Sequence, residues 1–391
     1  MSEESIPLPK EELGVKRRLV MKWTGVTILF AGLVVLALWL FYYRFIEYTD
    51  DAYVSGNLVE LTPQVAGIIA SINVDNTDYV EEGQVLIELD KTDYIFALEK
   101  SCNELAETVR EVVQMFLKVE ELEAQLQVKE AELMKAEQDY ENRVNLVNIG
   151  AVSTEEFEHV EAALKSARAS AKETYHTLQA AYAQVQGTTV RTHPLVRKGA
   201  QQVKDDWVSL RRCEIVSPVN GYVSQRVAQL GEWVNLAEPL LAIVPLDELW
   251  VDANFKETQL SDFRIGQDVK LRADLYGWRV TYQGKVIGIN PGTGNTFSIL
   301  PPQNATGNWI KIVQRVPVRI SLDSKQLERN PLWLGLSMDV TVDIKDTSGD
   351  RLSEYRVAKP IYRTSIYSQQ ELGADALIEQ IISSNIGSHG T

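Results

Sequence analysis

A chain of 391 residues exceeds one ordinary domain, so two or three are expected. Its composition, 45% hydrophobic and 24% charged, is that of a folded protein rather than a disordered one. A net charge of −15 excludes a nucleic-acid binder, which needs a basic surface, and reads as solvation of Glu-rich helices.

Residues 1–22 are basic, with Lys10, Lys16, Arg17, Arg18 and Lys22, and the 21 residues from Trp23 to Tyr43, WTGVTILFAGLVVLALWLFYY, carry no charge. At about 1.5 Å per residue such a helix spans about 30 Å, a bilayer core, with aromatic Trp23 and Tyr43 at the two interfaces. The run is too long for a signal peptide and lacks a small-residue cleavage site, so a retained single-pass anchor is expected. Acidic Glu47, Asp50 and Asp51 follow it, which predicts a cytoplasmic N-terminus and an exported bulk. Residues 44–57 read as a linker with a first barrel-associated strand.

Residues 58–90 and 213–246 are two copies of one short β-rich unit. In each, a glycine (Gly67, Gly221) is followed 13 residues on by a valine (Val80, Val234) and 6 further by a leucine (Leu86, Leu240). Neither copy, at roughly 30 residues, can enclose a core alone. Between them, residues 91–212 read as an antiparallel helical hairpin with its tip at about 148–154. Leu98, Leu105, Val112, Val119, Leu126, Leu133, Tyr140 and Val147 recur every seven residues, and Phe157, Leu164, Ala171, Leu178 and Val185 repeat that spacing on the return. Gly150 ends the first arm and Ser153 with Glu156 spells a capping box for the second. Gly187 and Pro194 predict a pause in the return arm. The hairpin returns the chain to its start, so the two β-copies meet as one small β-sandwich. Cys213 at the base and Cys102 about ten residues up the other arm are too far apart to bridge, at about 15 Å of helical rise.

Residues 247–345 carry short alternating runs such as LWVDANF and LSMDVTVDI, which predict a small antiparallel β-barrel. KETQLSDFRIGQ predicts one short helix within it. Residues 346–391 read as a polar, partly mobile tail ending in a weak amphipathic stretch, LGADALIEQIISSNI.

No catalytic, metal or cofactor site is expected. His159, His176, His193 and His389 are scattered, GINPGTGNT lacks the GK[ST] of a phosphate loop, and there is no GxSxG. Asn304 in NAT matches a glycosylation acceptor and is given no weight. Lys91, in LDKTD, stands where carrier domains bear a prosthetic group, but the chain departs there into the hairpin, which takes the space a swinging arm would need.

The paired half-motif resembles the biotinyl/lipoyl-carrier fold, and split by a helical hairpin it resembles the periplasmic adaptor, or membrane fusion, proteins. TDDAYVSGN (Thr49–Asn57), SPVNGYVSQR (Ser217–Arg226), VPLDELWVDANFKETQL (Val244–Leu260) and FSILPPQNATGNWIKIVQRVPVRI (Phe297–Ile320) carry a resemblance to the EmrA-type branch of the HlyD family. It implies an elongated α+β fold: one N-terminal transmembrane helix, a lipoyl-like β-sandwich split by a coiled-coil hairpin, and a small antiparallel barrel. Gly67, Val80, Gly221 and Val234 would be structural residues of the half-motifs. The resemblance further implies a non-enzymatic adaptor in the inner membrane, partnered by a proton-driven, EmrB-like major-facilitator transporter and an outer-membrane TolC-like channel, exporting hydrophobic toxic compounds. Channel-docking adaptors carry an arginine, a leucine and a serine about the hairpin tip. Arg143, Leu146 and Ser153 stand here, the first gap one residue shorter than usual. One hairpin cannot enclose a conduit, so a ring-like homo-oligomer is expected. The rivals are an adaptor of an ATP-binding-cassette protein or peptide exporter, and a non-transport envelope scaffold.

Overall fold

A computed structural model describes residues 10–147, 151–294, 296, 313–352 and 360–387. Gly150 and the block 297–312, with Asn304, lie outside them. In chain order the elements are α1 (Lys10–Phe41), β1 (Ile46–Thr49), β2 (Ala52–Ser55), β3 (Val59–Leu61), β4 (Gly67–Ile72), β5 (Tyr79–Val80) and β6 (Val85–Leu89). Three long helices follow: α2 (Thr92–Val147), α3 (Thr154–Val185) and α4 (Pro194–Arg211). Then come β7 (Glu214–Val216), β8 (Gly221–Ser224), β9 (Trp233–Val234), β10 (Leu241–Val244), β11 (Trp250–Lys256), β12 (Asp268–Ala273), β13 (Tyr282–Ile289) and β14 (Arg315–Leu322). The chain closes with α5 (Ser324–Arg329), β15 (Met338–Asp343), α6 (Ile366–Gln369) and α7 (Ala374–Ile386).

Two compact units form. The first holds residues 1–59, 220–224 and 242–363. Leu19–Phe45 is long and apolar enough to cross a membrane. Its side chains are exposed along its length, Trp23 and Tyr43 included, so it requires apolar surroundings that the protein does not supply. Seven antiparallel strands in the order β1-β15-β12-β13-β14-β11-β2 make the barrel. Period-two alternation sends Val251, Ala253, Phe255, Leu271, Val318, Ile320, Val340 and Val342 inward, all fully buried. The segment 44–57 supplies two strands rather than one. Asp50 and Asp51 interrupt the ladder between them, and Asp51 is held instead by Arg315 at 2.7 Å and by Asn254. β2 also meets the segment before β15, with Val54 N–H donating to Leu336 O, so the sheet nearly closes. The expected helix in KETQLSDFRIGQ is only a single 3-10 turn, Leu260–Asp262, because Phe263 turns inward onto Phe255 at 4.7 Å between ring centres.

The second unit holds residues 60–219, 225–241 and 364–391. α2 has 56 residues and is therefore about 84 Å long. Val119 and Leu122 on α2 and Leu178 and Val185 on α3 are buried together between the arms, and Leu164 and Ala171 are buried further out on α3. Cross-arm contacts continue outward as Arg168–Glu137 at 3.1 Å and Tyr140–Phe157 at 5.4 Å. The return arm stops at Val185, turns at Gly187 with φ of +73°, and restarts at Pro194. His193 makes that restart: Nδ1 accepts from Leu195 N–H, and Nε2 lies 3.1 Å from Gln184 O, joining both sides of the break.

The tail corrects the expectation of mobility over its described residues. Ile382 and Ile386 of α7 are buried among Leu105, Val109 and Val112 of α2, Val196 and Val203 of α4, and Val190 in the break. Lys204 pairs with Glu371 at 2.9 Å and Asp375 at 3.7 Å, and Arg191 pairs with Glu379. The apolar positions 377, 378, 381, 382 and 386 thus form a stripe with a partner, and the hairpin base becomes a helix bundle rather than a pair. Ile382→Ala with Ile386→Ala should cost about 2–4 kcal/mol per site. Limited proteolysis should then cut within 186–193 well before it does in the parent chain, and equal resistance would mean that α7 does not brace the break.

Candidate functional site: the divided β-unit and the hairpin it carries

Strands from the two copies alternate in one sheet, β7-β6-β4-β9. β4 pairs with β9 (Gly67↔Val234, Ile68↔Trp233), and β6 with β7 (Val85↔Val216, Ile87↔Ile215, Glu88↔Glu214). Backbone bonds from Gly83 N–H to Ser217 O and from Ser217 N–H to Gln84 O lock the register, as does Leu89 N–H to Cys213 O. Each copy therefore satisfies the strand edges of the other. Val80 and Val234 are 0% and 1% exposed, and Leu86 and Leu240 are equally buried. Gly221 is required by space, since a Cβ there would lie 2.6 Å from Val244 O; at Gly67 the nearest atom would be Leu89 Cβ at 3.5 Å, an ordinary contact.

The copies also share a backbone feature absent from their side-chain similarity. Three residues before each valine stand Thr77 (φ +77°) and Gly231 (φ +80°); three after stand Gly83 (φ +86°) and Ala237 (φ +64°). Both turns are left-handed at both positions, and each copy meets the demand with glycine only once. A non-glycine residue there carries about 1–2 kcal/mol of strain.

At the base, where the chain leaves for the hairpin, Glu88 and Glu214 face each other directly across the β6–β7 ladder. Like charges so placed repel. Lys91 Nζ resolves this, 2.7 Å from Glu214 and 3.2 Å from Glu88. The Glu214 hydrogen bond, opposed by burial and helped by Glu88, raises the Lys91 pKa. Lys91 is thus an ion-pair centre joining the two copies. Asp90 caps α2 through Thr92 N–H, and Tyr94 OH donates to Ala66 O, fixing the exit direction. Cys213 is buried, its thiol pushed up to about 11 chiefly by burial, and both cysteines are free.

At the far end, Ser153 Oγ accepts from Glu156 N–H at 3.2 Å, so it caps α3. Arg143 reaches Glu156 at 3.8 Å and Asp139 at 3.4 Å, tying the arms together. Leu146 is 39% exposed and its carbonyl accepts from Ala151 N–H. The structure therefore brings Arg143 near the Ser153 cap and leaves Leu146 facing outward. No group of three or more potential metal ligands occurs among the described residues. Sequence reasoning missed the Lys91 triad and His193. The first had no local signal; the second did, as a capping side chain directly before a proline at the first helical position.

Residues 92–213 match the family described as EMRA, alpha-helical hairpin domain, and residues 248–344 that described as AAEA-like beta-barrel domain. The chain is 42% identical over 349 residues to the Multidrug export protein EmrA of Escherichia coli (strain K12), covering 89% of this chain and 90% of that one. It is 40% identical over 333 residues to the Fatty acid resistance protein FarA of Neisseria gonorrhoeae, covering 85% and 84%. A solved structure of the periplasmic adaptor protein EmrA matches 76% of this chain and 98% of that one, at 21% identity and a TM-score of 0.38, too low to equate the two shapes. An apolar N-terminal helix, a β-unit divided by a long helical hairpin, and a nearly closed barrel define a membrane fusion protein fold. The chain belongs to the EmrA family.

Two outcomes follow from this geometry. Ala237→Gly should raise stability by about 0.5–1 kcal/mol, strain relief exceeding the added chain entropy. Gly83→Ala, with no atom within 4 Å of the new Cβ, should lower it by a similar amount; chemical denaturation reads both signs. Lys91→Met should cost about 1 kcal/mol at neutral pH, the pair being partly solvent-screened. A raised lysine pKa stabilises fully below the unfolded value of 10.5 and is lost as pH rises through the higher folded value. The difference between parent and variant should therefore persist to pH 10 and shrink above 10.5, and a difference flat across that window would remove the ion pair from the account.

Proposed function

We propose that the chain is the periplasmic adaptor of a tripartite multidrug efflux system. It is held in the inner membrane by α1 with its N-terminus cytoplasmic. It links a proton-driven, EmrB-like major-facilitator transporter to an outer-membrane TolC-like channel and serves the export of hydrophobic toxic compounds. The observation that carries this reading is the cross-copy pairing of β4 with β9 and β6 with β7. It commits the 122 residues matched as hairpin to leaving and re-entering one small β-unit, which gives reach without a second domain. The multidrug-export relatives supply the drug-export context.

The work is geometric rather than catalytic. The driving force comes from the transporter, and the adaptor contributes a path. A single pair of arms encloses nothing, so several copies pack side by side in a ring. The hairpin end, with Arg143, Leu146 and Ser153, docks on the channel. Leu146 offers apolar contact, while Arg143 and Ser153 keep the turn in shape for it.

Leu146→Asp and Ser153→Arg should each abolish resistance to hydrophobic weak acids in a strain lacking the chromosomal copy, at unchanged membrane levels of the protein. Unchanged resistance in both would remove the tip from the mechanism. Crosslinked pulldown should recover a major-facilitator transporter, and recovery of a nucleotide-binding transporter instead would replace the proposed system.

A further inference from the structure

Only four residues, Tyr42–Phe45, separate α1 from β1. Fully extended they reach about 14 Å, so a strand following a membrane-spanning helix begins in or beside the headgroup layer. Beside this junction lies a cavity of about 570 Å³ in the first unit, walled on one side by Phe41, Tyr42 and Phe45. Its other wall is the outward face of β12 and β15, whose inward neighbours Val269, Leu271, Val340 and Val342 fill the barrel core.

That wall carries three carboxylates, Asp268, Asp339 and Asp343, and three cations, Lys270, Arg272 and Lys345, which form no ion pair with one another. Asp268 lies 3.5 Å from Lys285, and Asp343 accepts from Lys345 N–H at 3.0 Å. Asp339 faces Arg272 across the ladder, yet its carboxylate takes the Tyr48 hydroxyl at 2.6 Å. That hydrogen bond, with burial and the Asp339 charge, pushes the Tyr48 pKa up to about 12, so the hydroxyl remains a donor. Among the described residues Lys270, Arg272 and Lys345 make no ion pair, although all three line the cavity. An aromatic wall beside three cations that no carboxylate contacts, at the mouth of an apolar helix, offers hydrogen-bond donors to a phosphate and an apolar face to what it carries.

We infer that this cavity holds the phosphodiester headgroup of a phospholipid from the leaflet in which α1 ends. Lys270, Arg272 and Lys345 take the phosphate, and Phe41, Tyr42 and Phe45 pack against the glycerol and first acyl carbons. Planar Arg272 is suited to two phosphate oxygens at once, and the lysines act as point charges. A headgroup so held adds a second tie between barrel and bilayer to that of the linker, whose Tyr43–Phe45 form a 3-10 turn. The inference rests on reading α1 as a membrane span.

The test uses the full chain purified in detergent, titrated with phosphatidylglycerol and followed by native mass spectrometry. One lipid per protomer should resist detergent washing. Basic residues near a lipid surface contribute about 1 kcal/mol each, so retention should weaken about fivefold per cation removed and about a hundredfold in Lys270→Gln/Arg272→Gln/Lys345→Gln. Lys325→Gln, which removes a cation of α5 that neither lines the cavity nor pairs with a residue lining it, should bind as the parent does. Should the triple variant fold poorly by thermal melt, Arg272→Gln alone should still show the fivefold loss. Equal retention in parent and variants would overturn the inference, as would displacement of the lipid by inorganic phosphate at equal concentration, the mark of a free-anion site. Alkaline extraction separates the two readings. A parent chain stripped from membranes by alkali sinks the anchor and the lipid site together, whereas an alkali-resistant chain with no retained lipid sinks the lipid site alone.

Discussion

Two short antiparallel ladders between distant parts of the chain are the constraint on which the second unit depends. Gly67 meets Val234 and Val85 meets Val216, so each pairing closes a loop of well over a hundred residues. A flexible loop of that length would charge several kcal/mol of closure entropy and would fold slowly. The intervening residues remove most of that cost. α2 and α3 lie antiparallel along their seams, so once the hairpin forms, Asp90 and Cys213 are already neighbours. The heptad pattern of α2 and α3 is thus a condition for completing the β-unit, and the β-unit in turn fixes the hairpin base.

Three local devices stiffen that base. Lys91 cancels the Glu88–Glu214 opposition that strand pairing creates. Left-handed turns at matched positions in both copies set the strand offsets, with Thr77 and Ala237 tolerated where glycine would be easier. α7 covers the break between α3 and α4, where a helix pair alone would leave Val190 and Val196 without cover. The break is therefore held on both sides, by His193 within the arm and by Ile382 and Ile386 from outside.

How much of this was legible in the sequence depended on the range of the interaction. The α2 seam could be read because seven-residue spacing over eight positions is a signal no loop imitates, and the pause at Gly187 and Pro194 because those residues act locally. Val80, Gly221 and Val234 were visible because the motif is written twice. α7 was not, since thirteen residues of moderate amphipathicity say nothing about a partner about 180 residues earlier in the chain. The split of β1 from β2 was hidden for a related reason: Asp50 and Asp51 read as polar strand positions until Arg315, 264 residues later, is seen to claim Asp51. The opposition of Glu88 and Glu214 exists only in the paired register. Periodicity and turn chemistry are short-range; charge matching and helix docking are not.

Along the hairpin the same accounting of partners predicts a gradient of stiffness. Near the base, α2 is enclosed by α4 and α7, and Leu105, Val109 and Val112 are fully buried. In the middle, α3 alone faces it, and Val119 and Leu122 are still covered. Beyond that point Leu126, Leu133, Tyr140 and Val147 are only half-buried, because two helices cannot shield a seam from water on both flanks. What remains near the turn is the Tyr140–Phe157 ring contact and polar tethering, Arg143 to Glu156 and the Ser153 cap, the latter partly solvent-screened and giving way under small loads. Local opening free energy follows buried contact, so the outer third of α2 opens most easily and the base least. For an arm proposed to meet a partner at its end and be driven from its root, that order gives an end able to adjust to what it touches and a root that transmits its position.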